Sequence, residues 1–232
     1  MSDNSGRGRD PRRRTVRSYV VRGGRMSKRQ ERAYHNLREV YGTPVSDTPL
    51  DFPVLFGNGN PVVLEIGFGN GAATARIAED TPNINYLGIE VFKAGIGNLL
   101  SIIDERGLGN VRVIEGDAEE VARKMVPEGS LKGVHIFFPD PWPKKKHHKR
   151  RLLKPGFLKA LAGKLGKGGY IYFVTDWEDY ARHALEVFEG EHLLENRFEG
   201  FAPPQGWRPV TRFEEKGLEK RHAIFELLYE RR

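Results

Sequence analysis

Between Pro61 and Phe188 the chain repeats one pattern five times: a short apolar run, a turn, then a stretch with helical spacing. The apolar runs are 62–66, 84–90, 111–114, 133–138 and 169–174. The intervening stretches predict helices starting near Gly71, over 92–106, through Glu119 to Met125, over 152–165 ending at Gly166, and over 177–188. Consecutive strands separated by helix-length crossovers pair in parallel, and a parallel sheet needs helices on both faces. The expected fold is therefore α/β and Rossmann-like. Two further apolar runs, 193–198 and 223–229, have no comparable helix between them. They are expected as an antiparallel pair at one sheet edge, giving a mostly parallel seven-stranded sheet. No internal repeat is visible.

Before this array the chain is basic. Residues 1–32 hold 11 Lys/Arg against 3 Asp/Glu, and the block 144–151 adds 6 Lys/Arg with no acid. Removing these contributions of +8 and +6 from the overall +7 leaves the remaining body at −7. Cations gathered into two patches on an acidic body point to a polyanionic partner, with nucleic acid first in line. Residues 1–14 have no apolar residue after Met1, so burial cannot offset their ordering entropy and they are expected to be disordered. From Met26 to Tyr41 a helix is expected, with Ser27 as cap and Ala33, Leu37, Val40 and Tyr41 on its apolar side. Thr43 to Asn60, with three prolines and two glycines, reads as an irregular connector.

The first strand runs into Glu65-Ile66-Gly67-Phe68-Gly69-Asn70-Gly71. Glycines at such a turn permit left-handed backbone and let a ligand approach the main chain, and open α/β sheets bind ligands beyond the carboxyl ends of their strands. Gly67, Gly69 and Ala72 also satisfy G-x-G-x-x-A, so the loop alone leaves a dinucleotide possible. Glu90, at the end of the second strand, can accept both hydroxyls of a ribose. Asp117, in Gly116-Asp117-Ala118 after the third strand, can meet an adenine amino group, cap the following helix, or do both. Glu65 would be costly to bury without a partner.

The fourth strand ends in Phe138-Pro139-Asp140-Pro141-Trp142-Pro143 and then Lys144-Lys145-Lys146-His147-His148-Lys149-Arg150-Arg151. Proline fixes its own φ and restricts the residue before it, so Asp140 is expected on stiff backbone. Trp142 either stacks on a base or covers the sheet end. A stiff acid beside an aromatic ring and a polycation suits a site that holds a nucleobase while gripping phosphates. Read without that site, the stretch is a Pro-rich turn followed by a solvated charge run.

Taken with the E-x-G-x-G-x-G loop and the acids after strands two and three, this stretch resembles the signature of tRNA (guanine-N7)-methyltransferases. Three further segments resemble the same family: Val174-Thr175-Asp176-Trp177-Glu178-Asp179-Tyr180, Thr211-Arg212-Phe213-Glu214-Glu215-Lys216-Gly217, and Arg22-Gly23-Gly24-Arg25-Met26-Ser27-Lys28. The likeness runs from about residue 17 to near the end. It implies a class I methyltransferase fold, S-adenosylmethionine as cofactor and tRNA as substrate, methylated at N7 of a guanine in the variable loop. It further implies that Glu65, Gly67, Gly69, Gly71, Glu90, Asp117, Ala118 and Asp140 form the cofactor site, with Asp140 also catalytic. Lys144, Asp176, Thr211, Arg212, Phe213 and Glu214 would bind the substrate guanosine and its surroundings. Lys146, His147, His148, Lys149, Arg150 and Arg151 would contact RNA. Lys146 departs from the family, where Arg is common, and so loses a bidentate fork. Read alone, Asp176 would be a helix cap, Thr211 a turn residue and Trp177 packing. The chain then divides into an Arg-rich tail over 1–16, a basic segment with helix and connector over 17–60, and a methyltransferase domain over 61–232.

There is no cysteine, which excludes disulfides, thiolate metal sites and cysteine nucleophiles. His147 and His148 lack acidic neighbours, so phosphate contact is expected there and no metal site. No apolar run reaches membrane-spanning length and no signal core follows Met1, so a cytoplasmic protein without a membrane partner is expected, as monomer or homodimer and with no obligatory protein partner. Two rivals are an NAD(P)-dependent oxidoreductase, which leaves the basic block unexplained, and a non-catalytic RNA-binding module, in which Glu65, Glu90, Asp117 and Asp140 would repel RNA to no purpose.

Overall fold

The computed structural model describes residues 17–20, 25–211, 214 and 223–232. The Arg-rich tail over 1–16, Arg22 to Gly24, Arg212, Phe213 and Glu215 to Gly217 lie outside the described residues.

The apolar runs form a seven-stranded sheet: β1 (Val62–Ile66), β2 (Asn85–Glu90), β3 (Val111–Glu115), β4 (Leu131–Phe137), β5 (Leu165–Thr175), β6 (Leu194–Asn196) and β7 (Phe225–Arg231). Their spatial order is β3-β2-β1-β4-β5-β7-β6. The first five strands pair in parallel, β7 pairs antiparallel with β5, and β6 pairs antiparallel with β7 at the edge. The Rossmann-like expectation and the antiparallel C-terminal pair both hold. Strand order reverses between β1 and β4, which opens a crevice at their carboxyl ends.

The helices are α1 (Lys28–Tyr41), α2 (Phe52–Phe56), α3 (Ala72–Asp80), α4 (Lys93–Arg106), α5 (Ala118–Lys124), α6 (Pro155–Lys164) and α7 (Glu178–Glu189). Alternate residues along each strand face opposite sides of the sheet. Val62, Leu64, Ile66, Val134 and Ile136 share one core with α5, α6 and α7. Val63, Tyr86, Phe137, Tyr172 and Val174 share the other with α1, α3 and α4. Among the described residues, no helix is long and apolar enough to cross a membrane.

Helix α1 is capped by Ser27 as expected, and the structure completes a capping box, Gln30 N–H to Ser27 Oγ and Ser27 N–H to Gln30 Oε1. It rests on α4, and its buried residues are Ala33 and Tyr34, while Val40 is 61% exposed. The apolar stripe is thus narrower than its spacing suggested. The connector contains helix α2, capped by Asp51 and carrying Pro53 in its first turn, where no N–H is needed. Helix α6 begins at Pro155 and not at Leu152, because the residue before a proline is driven out of the helical region: Lys154 is extended at φ −136°. Nor does Gly166 stop that helix. β5 starts at Leu165, and its first residues absorb a register shift against Leu131–Gly133.

Candidate active site

The carboxyl ends of β1, β2 and β4 surround a cavity of about 820 Å³. Its walls include Glu65, Gly67, Gly69, Glu90, Ala118, Asp140 and Thr211, together with Ser18 and Tyr19 from the N-terminal segment. Gly67, Gly69 and Gly71 all have left-handed φ, at 75°, 60° and 73°, so side chains at these positions would be strained. A Cβ on Gly95 of α4 would lie 1.8 Å from the Gly69 carbonyl oxygen. The helix therefore backs directly onto the loop.

Glu65 sits on β1 with 2% of its surface exposed, and burial pushes its carboxyl up to about 7, with Glu90 nearby adding to the effect. Its Oε2 has no hydrogen-bond partner among the described residues. Glu90 is engaged on three sides: Oε1 accepts from the N–H groups of Val91 (2.6 Å) and Phe92 (3.0 Å), and Oε2 from that of Gly69 (2.8 Å). Burial still raises its pKa, helped by the charge of Asp140. A carboxylate offers about four acceptor positions, so one remains for a ribose hydroxyl. Asp117 caps α5 through Oδ1, accepting from Glu119 (2.9 Å) and Glu120 (3.2 Å). Tyr19 lies near enough that burial and the charge of Asp117 raise the pKa of its hydroxyl. Gly116 and Ala118 line the cavity on either side of it. Of its two expected roles, the cap is the one its contacts display.

The turn after β4 is held more tightly than its prolines alone require. Phe138 and Trp142, which bracket Pro139-Asp140-Pro141, both adopt left-handed φ, at 49° and 48°, which is costly for bulky side chains. Phe138 N–H is fixed to the Val174 carbonyl at 2.8 Å. Asp140 is left exposed on the cavity wall. Trp142 is partly buried: its indole N–H donates to the Ser18 carbonyl (3.0 Å), and the Arg150 guanidinium lies 3.8 Å from its ring centroid.

The basic block forms a 3₁₀ turn over Lys145–Arg150 and divides into two sets. Lys144, Lys145, Lys146 and Lys149 are exposed. His147 packs edge-on against Trp142, and burial together with the charge of Lys146 lowers its pKa. Arg150 donates to the carbonyls of Arg17 (3.1 Å) and Tyr19 (3.0 Å). The expectation that Arg151 contacts RNA is corrected. Its side chain is 2% exposed, paired with Asp179, bonded to the Pro141 carbonyl (3.1 Å) and lodged against Tyr180. The desolvation cost of a buried guanidinium is offset only by partners on this scale. His148 lies beside the same pair, 3.7 Å from Asp179 and 3.2 Å from Arg151 Nη2.

Glu214 is likewise turned inward, where substrate contact was expected. Arg208 binds it through both terminal nitrogens (2.5 and 2.8 Å), also reaches Glu226 (2.9 Å), and donates from Nε to the Tyr172 hydroxyl (3.2 Å). Tyr172 in turn donates to Glu226. Thr211 does line the cavity, and it exchanges two hydrogen bonds with Glu214 (3.1 and 3.3 Å). Asp176 follows the last residue of β5 and is partly buried. The N-cap position of α7 is Trp177, without a side-chain cap, and its ring packs on the core as expected. Ser18 and Tyr19 were not singled out from sequence because Trp142 and Arg150 lie far along the chain, and the Arg208 network was not because Tyr172 and Glu226 reach it from β5 and β7.

Residues 59–227 match the model of a family described as "Putative methyltransferase". A tRNA (guanine-N(7)-)-methyltransferase of Bordetella pertussis is 48% identical over 93% of this chain and 85% of its own length. Its counterpart in Alkalilimnicola ehrlichii is 49% identical over 94% of both chains. Among solved structures, the 16S rRNA methyltransferase KamB superposes with a TM-score of 0.58 at 16% identity, covering 78% of this chain and 92% of its own.

Proposed function

The chain belongs to the tRNA (guanine-N7)-methyltransferase family, and from that premise we propose how its cavity serves the reaction. The activity is transfer of a methyl group from S-adenosylmethionine to N7 of a guanine in tRNA, forming 7-methylguanosine. The finer assignment, a guanine of the variable loop, is part of the proposal. One observation carries the site reading: a single cavity is walled by the glycine loop, the buried Glu65, the half-buried Glu90 and the exposed Asp140.

S-adenosylmethionine supplies an electrophilic methyl on a positively charged sulfonium. The residues present suit such a ligand. Gly67 faces open space where a Cβ would otherwise project, so the loop backbone is accessible. Glu90 keeps acceptor capacity for ribose hydroxyls, and the unpartnered Oε2 of Glu65 suits a cationic amino group. Guanine N7 has an in-plane lone pair and no proton, so no general base is required. The chain's task is alignment and control of charge, and proximity of well-oriented reactants can contribute ~7–11 kcal/mol. As the methyl arrives the purine becomes cationic and its N–H groups more acidic. Asp140 accepts from that edge, an interaction that strengthens toward the transition state. Asp176 and Thr211 help to hold the guanosine. Lys144, Lys145, Lys146 and Lys149 neutralise phosphates, and the target base leaves its stack to enter.

Asp140→Asn tests the assignment. The variant is expected to bind S-adenosylhomocysteine and tRNA normally but to methylate far more slowly; a wild-type rate would remove Asp140 from its role. Mapping 7-methylguanosine in tRNA from a strain lacking the gene tests the target position. Affinity for NAD(P)H without affinity for S-adenosylhomocysteine would favour the oxidoreductase.

A further inference from the structure

Arg151 joins two parts of the site that the chain itself holds 36 residues apart, Asp140 and Asp176. Its Nε donates to the carbonyl of Pro141, the residue directly after Asp140. Its Nη2 pairs with Asp179, and its guanidinium sits 4.9 Å from the centroid of the Tyr180 ring. Asp179 and Tyr180 lie in the first turn of α7, three and four residues beyond Asp176. One planar, buried cation thus touches both the turn that carries Asp140 and the helix start that follows Asp176. Two neighbouring bonds run the same way: Leu153 N–H donates to the Tyr180 hydroxyl (3.1 Å), and Phe138 N–H to the Val174 carbonyl. The turn needs such restraint, because left-handed backbone at Phe138 and Trp142 persists only where surrounding contacts over-determine it.

We propose that Arg151 is a positioning residue, which braces the Pro139–Pro141 turn against α7 and thereby sets the placement of Asp140 relative to Asp176. Phosphate contact is left to the exposed lysines of the same block. A guanidinium is required because its fork serves the carbonyl and the carboxylate together, whereas an ammonium is a point charge. The inference rests on the reading of Asp140 as the residue that holds the purine.

The test compares Arg151→Lys, Arg151→Met and Asp140→Asn in the full-length protein. It measures single-turnover methylation at saturating tRNA, tRNA affinity against salt, S-adenosylhomocysteine affinity and thermal unfolding. Arg151→Lys is expected to fold and to bind both ligands within about twofold of wild type. Its methylation rate should fall by about 10- to 100-fold, the size expected for a displacement near 1 Å. Arg151→Met should fall further. A wild-type rate in Arg151→Lys overturns the proposal. So does a tRNA affinity whose salt slope drops by about one in Arg151→Met while the saturated rate is kept, since that marks a phosphate contact. Should Arg151→Met fail to fold, Arg151→Lys alone decides, because it keeps the charge and loses the fork. If Asp140→Asn methylates at the wild-type rate, the reading of Asp140 fails; if it is inactive while Arg151→Lys is normal, only the brace fails.

Discussion

Glu90 accepts the N–H of Gly69 at 2.8 Å, tying the end of β2 to the crest of the glycine loop at the end of β1. The same carboxylate holds the N–H groups of Val91 and Phe92, which begin the approach to α4. The acid at this position therefore shapes the cavity wall before any ligand arrives.

Replacing Glu90 with Gln keeps the shape but exchanges an acceptor oxygen for a donor, so at least one of the three N–H groups loses its partner. Gly69 and Val91 are only partly buried and Phe92 is exposed, so water offsets part of the loss and the cost is that of one net hydrogen bond, about 0.5–1.5 kcal/mol. Glu90→Gln should lower the unfolding free energy by that order and weaken S-adenosylhomocysteine binding about tenfold or more. Urea denaturation and titration calorimetry measure the two effects separately.

Glu65 predicts a pH dependence. Its folded pKa, near 7, lies above the unfolded value near 4.5, so between them the folded protein binds more protons than the unfolded one. Stability then falls as pH rises through that window and levels off above 7, with a total change on the order of 3 kcal/mol. Glu65→Gln should abolish this component, matching wild type near pH 4 and exceeding it at pH 8. Binding of S-adenosylhomocysteine, whose amino group is cationic, should tighten through pH 7 in wild type and stay flat in the variant. Parallel thermal melts and binding isotherms from pH 4 to 8 would show both.

Arg208 lies between two buried acids, its side chain 4% exposed and that of Glu226 1%. Removing one member of such a group leaves uncompensated buried charge, typically at a cost of about 3–5 kcal/mol. Arg208→Ala should be destabilised by that amount in denaturant unfolding. Glu214→Gln should be milder, because Glu226 still pairs the guanidinium; its expected signature is slower methylation, since Glu214 also steadies Thr211 on the cavity wall.

Lys145, Lys146 and Lys149 are exposed and clear of the buried contacts around Arg151. Each one replaced by Ala should weaken tRNA binding and reduce the magnitude of the log-affinity versus log-salt slope by about 0.7–0.9. Filter binding across a salt series reads this directly, and a triple variant should show nearly three times the single effect.

The sheet was legible because its strands are apolar on both faces and its crossovers are long enough for helices; α1 was legible because Ser27 can cap it and apolar residues recur behind it at three- and four-residue spacing. The start of α6 was misread because Leu152 and Leu153 continue its apolar spacing, while Pro155 overrides that spacing by forcing Lys154 to extend. Charge was the less faithful guide. Arg151 stands in a run of cations and Glu214 in a polar loop, so each reads as exposed, yet each is buried: Arg151 by Asp179 and Tyr180, and Glu214 by Arg208 six residues before it, which is itself held by Tyr172 and Glu226 from other elements. Spacing reports the face of a helix or strand but not which side chain from another element will meet it. The family likeness located the site along the chain; it could not say which of its charged residues face the ligand and which hold the walls.

Ser18 and Tyr19 line the cavity, and the segment from Arg17 to Tyr19 is held through three main-chain oxygens, taken by Trp142 and Arg150. Carbonyl acceptors are the same whatever amino acid supplies them. The docking therefore asks almost nothing of the side chains at positions 17 and 18, and exchanges there leave its three anchors standing. The demand that these main-chain anchors make falls on one indole, Trp142, and one guanidinium, Arg150.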